Sequence, residues 1–369
     1  MSKVKIETLT GIHIGSGVVY QKGSDFVRGK TADNEDIIVI VDPKKVMHLI
    51  GEEHIDAWVN AIQRGRPTDE VVKQYAPSAK VTNYALREIS LWSREITPTL
   101  KEFIHDGRGK PYIPGSSIKG AIRTAVLACE SINVNDKENK LLDRRGNLSA
   151  KAIESNVFGY DPNHDIMRFL QIGDAVFGKE YEAAVRMVNI NERERHSYWD
   201  ESKPQLIEIL VPEDEATFDL KINKSQYELA KDSLGVQMPE CMISVENLFN
   251  TINHHTLQLL KSEVTYWEER ANDENADKVE EYLRKLSIIL SAAEECGKKG
   301  KSCVLRIGHG SGWRFITGAW SETLSNFKTV VVPKARPRNS QYVQFDFPKT
   351  RRVDDECELL GFVKLTLME

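Results

Sequence analysis

Two short segments combine glycines with groups able to hold an anion. In the first, Pro114-Gly115-Ser116-Ser117 leads into Ile118, Ala121, Ile122, Ala125, Val126 and Cys129, the spacing of a helix buried along one stripe. Ser116 or Ser117 can cap its first amides, and Lys119 and Arg123, four apart, share the opposite face. Lys119 stands in the first turn, where the helix dipole disfavours a cation. Open amides, two hydroxyls and two cations at one helix start suit a phosphate. An ordinary capped helix with a solvated basic face accounts for the same residues.

The second segment, Gly308-His309-Gly310-Ser311-Gly312, follows a strand pattern and precedes a helical one. Its spacing is GxGxG rather than the GxGxxG of dinucleotide folds, and the Gly-Lys-Ser/Thr of a Walker loop is absent. Either the backbone here lets a polyanion approach closely, or the chain simply turns. From Lys334 to Arg352 six cations (Lys334, Arg336, Arg338, Lys349, Arg351, Arg352) face one acid, Asp346, with Tyr342, Phe345 and Phe347 interleaved. Cations with aromatic faces are the composition of single-stranded nucleic-acid binding; a solvated loop with core aromatics is the alternative.

Catalytic constellations are poor. His105-Asp106 is a lone pair, His254 and His255 are adjacent on a helix and point apart, and GxSxG, HExxH and paired cysteines are missing. Asp25, Asp33 and Asp36 lie in the loops after the first strand, where a solvated acid is the simplest role. Neither metal nor cofactor is expected.

The elements that must position these groups follow from periodicity. Val4, Ile6 and Leu9, then Ile12 and Ile14, make a first strand that breaks at Gly15-Ser16-Gly17; a second apolar run, Ile37–Val41, closes a hairpin before Asp42-Pro43. Residues 44–100 read as a helical insertion. Strands are predicted at 168–176, 183–190, 205–211 and 217–222, with an exposed hairpin tip over 191–204. Two long helices follow at 241–269 and 276–296, then a strand at 303–307, a short helix at 315–324 and a last strand at 359–367. This order indicates an α+β fold with antiparallel sheets. The 369 residues carry 50 Lys and Arg against 55 Asp and Glu, a formal charge of −5, which excludes a histone-like basic protein. Charge is nonetheless uneven: Glu268–Glu281 holds seven acids and two bases, so local basic surfaces can coexist with the acidic total. Five scattered cysteines argue for a reducing cytoplasm rather than a disulfide scaffold. No apolar run reaches the ~18 residues of a membrane span, and Met1–Glu7 lacks a signal-peptide core.

Three stretches together resemble the RAMP superfamily of CRISPR proteins: Gly11-Ile12-His13-Ile14-Gly15-Ser16-Gly17, Tyr112-Ile113-Pro114-Gly115-Ser116-Ser117-Ile118-Lys119-Gly120-Ala121-Ile122-Arg123, and the late glycine loop. Pro348-Lys349-Thr350-Arg351-Arg352 followed by Leu360–Leu365, and Ser24–Val27 after the first strand, are similar to the fifth-subunit family of type III-A (Csm) effector complexes. The resemblance implies modified RRM-like, ferredoxin-like cores over 1–43 and 101–235, the helical insertion 44–100, a helical segment 236–300, and C-terminal strands with the glycine-rich loop and basic tail over 301–369. It implies a non-catalytic subunit that caps the Csm backbone, binds the 3′ part of the guide RNA (crRNA) and supports crRNA maturation. Partners would be crRNA, other Csm subunits and host maturation nucleases, without a membrane. RNA contacts are expected from His13, Gly15, Ser16, Gly17, Gly115, Ser116, Ser117, Lys119, Arg123, Gly308, His309, Gly310, Ser311, Gly312, Arg351 and Arg352. A metal-independent ribonuclease drawing on His13, His105 or Asp25 is the competing reading.

Overall fold

The computed structural model describes residues 1–135, 140–178, 182–194, 196–274, 276–335 and 348–368. Its strands are β1 (Ser2–Thr8), β2 (Gly15–Gln21), β3 (Phe26–Lys30), β4 (Asp36–Val41), β5 (Ala85–Leu91), β6 (Thr99–Phe103), β7 (Tyr112–Ile113), β8 (Leu170–Ile172), β9 (Ala175–Val176), β10 (Glu182–Asn191), β11 (Trp199–Leu210), β12 (Glu215–Ile222), β13 (Ser302–Arg306), β14 (Thr350–Asp354) and β15 (Phe362–Leu367). The principal helices are α1 (Pro43–Ile50), α2 (Ile55–Gln63), α3 (Thr68–Tyr75), α4 (Gly115–Glu130), α5 (Lys151–Phe158), α6 (Lys224–Leu234), α7 (Val245–Glu268) and α8 (Asp277–Lys299).

Alternation in β1 buries Val4, Ile6 and Thr8, as a strand with one core face must. It lies inside an antiparallel sheet of order β13-β15-β1-β12-β8. The apolar stripe of α4 (Ile118, Ile122, Ala125 and Val126) packs on that sheet with Val4, Ile6, Phe218 and Leu365. A second sheet runs β2-β6-β11-β10-β5-β4-β3, with β14 paired to the distal half of β10. It is antiparallel except where β6 meets β11 and β5 meets β10. Helices α1 and α3 cover Val27, Ile37, Val39 and Val41 of this sheet. The hairpin α7–α8 covers Val188, Ile190 and Val353. This is the α+β, antiparallel, RRM-like architecture expected.

Several details differ from the sequence reading. The stretch 44–100 is α-helical only to Tyr75; after a 3₁₀ turn at Val81–Tyr84, β5 enters the second sheet, its period hidden because Arg87 occupies a core-side position between Ala85 and Ile89. Ile37–Val41 does close a hairpin, with β3, and pairs with β5 on its other side. The C-terminal strands β13 and β15 complete the sheet that holds β1, and Thr350–Asp354, read as basic tail, is a strand. The exposed tip at 191–204 shrinks, because β11 begins at Trp199 and Tyr198 is buried. In place of a helix at 315–324 there are 3₁₀ turns, Trp313–Phe315 and Ala319–Thr323. Arg336, Arg338, Tyr342, Phe345, Asp346 and Phe347 lie outside the described residues. No helix among the described residues is long and apolar enough to cross a membrane.

Candidate nucleic-acid interface

The two glycine motifs meet where the chain passes between the sheets. Leu9 N–H donates to Phe362 O on one side, while Ile12 exchanges backbone bonds with Leu210 on the other. Gly361 N–H donates to Gly11 O (2.9 Å), and His309 N–H donates to His13 O (2.8 Å). His13 is 2% exposed. Its Nδ1–H donates to Glu208 O (2.5 Å), and burial pushes its pKa down to about 4. It therefore holds the crossing together and is no surface contact for RNA. Ser311 Oγ donates to Gly308 O (2.8 Å), so this side chain too is engaged within the loop. Gly310 has φ +88°, with Leu360 and Met187 atoms 3.3 Å from where a Cβ would sit, whereas Gly312 (φ +79°) faces open space. Gly15, Ser16 and Gly17 are exposed on edge strand β2, with Ser16 Oγ donating to Glu102 (2.7 Å).

Beside this junction the cations Lys101 and Arg352 gather around His309. Gln205 Oε1 accepts from Lys101 Nζ (2.6 Å) and His309 Nε2 (3.1 Å), and Lys101 Nζ stands 3.5 Å from that same Nε2. Burial, then Lys101 and Arg352, push the His309 pKa down to about 4. Burial and the neighbouring Arg352 also lower that of Lys101. Arg352 Nη1 is buried with no hydrogen-bond partner among the described residues; Asp200 is the acid acting on this guanidinium. Such a cluster is poised for an anionic ligand. Lys101 and Gln205 were missed in the sequence. Lys101 alternates with Leu100 and Glu102 in a short strand, and nothing local marks the face it takes.

The helix motif is built differently from its sequence reading. Neither Ser116 nor Ser117 caps α4: the N-cap position is Pro114, with no side-chain cap. Gly115 N–H instead donates to Asp174 Oδ1 (2.7 Å), so a carboxylate of the chain itself occupies part of the supposed anion site. Gly115 is required because a Cβ would lie 2.2 Å from Ile172 O. Arg123 is spent on Asp165 (2.8 Å) and Glu154 (3.1 Å) and lies 3.9 Å over the Phe158 ring. Ser116 is exposed, and Lys119 makes no ion pair among the described residues; burial lowers its pKa.

Arg351 is also corrected. It points into the core, where it forms a two-bond pair with Glu263 (Nη2–Oε2 2.9 Å) and donates to Pro348 O (2.6 Å). Burial alone would raise the Glu263 pKa, yet Arg351 and Arg314 hold it down to about 2. The second sheet also carries a buried network. Arg87 bonds Glu208 (2.8 Å) and His105 (3.1 Å), and His105 Nε2 lies 2.8 Å from Glu182. His105, Glu182 and Glu208 have metal-ligand spacing, but the Arg87 guanidinium sits among them as their cation. Asp25 accepts from Gln21 N–H (2.8 Å) and Asp36 pairs with Arg28 (3.2 Å), which are structural roles.

With two sheets joined at this glycine junction, the chain belongs to the RAMP superfamily, which it matches over residues 5–315. It is 31% identical over 189 residues to "CRISPR system Cms protein Csm5" of Methanocaldococcus jannaschii, a match spanning 47% of this chain and 42% of that relative. Its fold is similar to a chain of a cryo-EM Csm–crRNA–target RNA ternary complex of a type III-A CRISPR–Cas system, with TM-score 0.75, 20% identity and all of both chains covered. It is also similar to crystalline T. onnurineus Csm5, with TM-score 0.66 and 17% identity over 97% of this chain and 99% of the other.

Proposed function

We propose that this protein is a Csm5-like, non-catalytic RNA-binding subunit of a type III-A CRISPR effector complex. It caps the Csm backbone, holds the 3′ part of the crRNA and supports crRNA maturation in the cytoplasm, alongside other Csm subunits and host nucleases. The observation that carries this reading is the pair of cations Lys101 and Arg352 flanking a neutral His309 at the glycine junction, with a guanidinium nitrogen that finds no hydrogen-bond partner among the described residues. RNA phosphates supply the counter-charge for Lys101 and Arg352, and the open backbone at Gly312 admits a strand. Sequence is left to base pairing, as in guide-directed systems.

Reconstitution tests this. A Csm complex assembled with this chain should protect the 3′ part of a labelled crRNA from added nuclease, and a complex lacking it should not. Equal protection with and without the chain would contradict the reading.

A further inference from the structure

Helix α4 and the loop after α5 are joined by one side chain. Arg123 stacks on Phe158 (3.9 Å) and pairs with Asp165 (2.8 Å), the residues at the two ends of the segment Gly159–His164. That segment therefore projects beside the face of α4 that bears Lys119, one turn earlier on the same side.

The segment is closed tightly. Gly159 has φ +113°, and a Cβ there would meet His164 O at 2.2 Å. Asp161 Oδ1 accepts from Asn163 N–H (2.8 Å), His164 N–H (3.0 Å) and His164 Nδ1 (2.7 Å). With its proton on Nδ1, His164 leaves Nε2 as the acceptor for the Tyr160 hydroxyl (2.7 Å). The two rings stack at 4.1 Å and 25°. Yet Tyr160 is 59% exposed. An aromatic ring fixed by a stacked neighbour and a hydrogen bond, then left to solvent, has lost its rotamer freedom before any ligand arrives. Arg168, also exposed, braces the loop from behind by donating to Asn163 O (2.5 Å).

We infer that Tyr160, backed by His164, is a stacking platform for an unpaired RNA base, with Lys119 taking a phosphate of the same strand. Arg123 is then a positioning residue: it sets the loop against α4 and does not itself touch RNA. The inference rests on the RNA-binding reading above, and adds a base-stacking site to one built from phosphate contacts. Stacking tolerates any base, because each has a π-face.

The test uses the full chain and a single-stranded oligoribonucleotide carrying 2-aminopurine. Tyr160→Ala should weaken binding about 5- to 100-fold, leave the salt slope unchanged and abolish quenching of the fluorescent base. Tyr160→Phe, which keeps the ring, should retain quenching, and Tyr160→Leu, which keeps bulk without a ring, should not. Melting temperatures on the same samples separate misfolding from lost contact. Wild-type affinity and quenching in folded Tyr160→Ala would overturn the inference while leaving RNA binding standing. Failure of the wild-type chain to bind the oligoribonucleotide at all would overturn both.

Discussion

Gly308 packs directly on the backbone of His13: at φ +76°, a Cβ on Gly308 would lie 2.4 Å from His13 O. The glycine of one motif is thus required by the other, and the crossing of the two sheets depends on this contact. Gly308→Ala should lower stability by roughly 2–3 kcal/mol, from left-handed strain plus the clash, and RNA binding should fall with it. Gly312→Ala meets no neighbour, so it should cost roughly 1 kcal/mol while weakening RNA binding further than that loss explains. Thermal unfolding and RNA affinity on both variants decide it; equal melting temperatures would remove the packing argument.

Arg87 pairs with the fully buried Glu208 and with Glu182, and donates to His105 Nε2. Arg87→Ala should destabilise by about 3–5 kcal/mol, because it strands buried carboxylates. Burial pushes the Glu208 pKa up from 4.5 to about 7. A raised carboxyl pKa means the folded state holds the proton more tightly, so this contribution is full below about 4.5 and is lost as the pH rises through 7. Denaturant melts of wild type and Glu208→Gln should therefore diverge in favour of the variant as the pH climbs through that window. A pH-independent difference would contradict the assignment.

Glu263 titrates in the opposite sense. Its pKa is held at about 2, so its stabilisation is present above the ordinary 4.5 and is lost as the pH falls towards 2. Arg351→Met should cost about 3 kcal/mol and raise the pH of acid unfolding, followed by far-UV circular dichroism. A variant that loses RNA affinity while melting like wild type would return Arg351 to the RNA surface.

The groups offered for a nuclease, His13, His105 and Asp25, are committed to internal bonds. Asp25→Ala, Asp36→Ala and His105→Ala should each leave target cleavage by a reconstituted complex intact, measured on labelled RNA with and without divalent metal. Lost cleavage with assembly preserved would favour the ribonuclease reading.

The long helices, β10, the second half of β11 and β12 were legible because their apolar periods are unbroken, whereas Trp199–Pro204 is polar and hid the start of β11. β5 was not, since Arg87 stands on its buried side and pairs with Glu208, 121 positions away. The motif helix was read correctly as a helix, but the fate of Arg123 was not legible: Glu154 and Asp165 come from segments whose approach only the fold determines. Arg351 and Arg352 are adjacent in sequence and indistinguishable by composition. As neighbours in β14 they point to opposite faces of the sheet, one into Glu263 and the other towards Lys101 and His309. Lys101, the nearest cation to the late glycine loop's histidine, carried no motif at all.

The most direct measurement is the salt dependence of RNA affinity for wild type and for a Lys101→Ala/Arg352→Ala double variant. If both side chains meet phosphates, the slope of log affinity against log salt should flatten by about 1.4, near 0.7 per phosphate of a single strand. Affinity at low salt should fall with it while the melting temperature holds. A folded double variant that keeps the wild-type slope would contradict the account, because the cation cluster at the glycine junction would then bind no RNA.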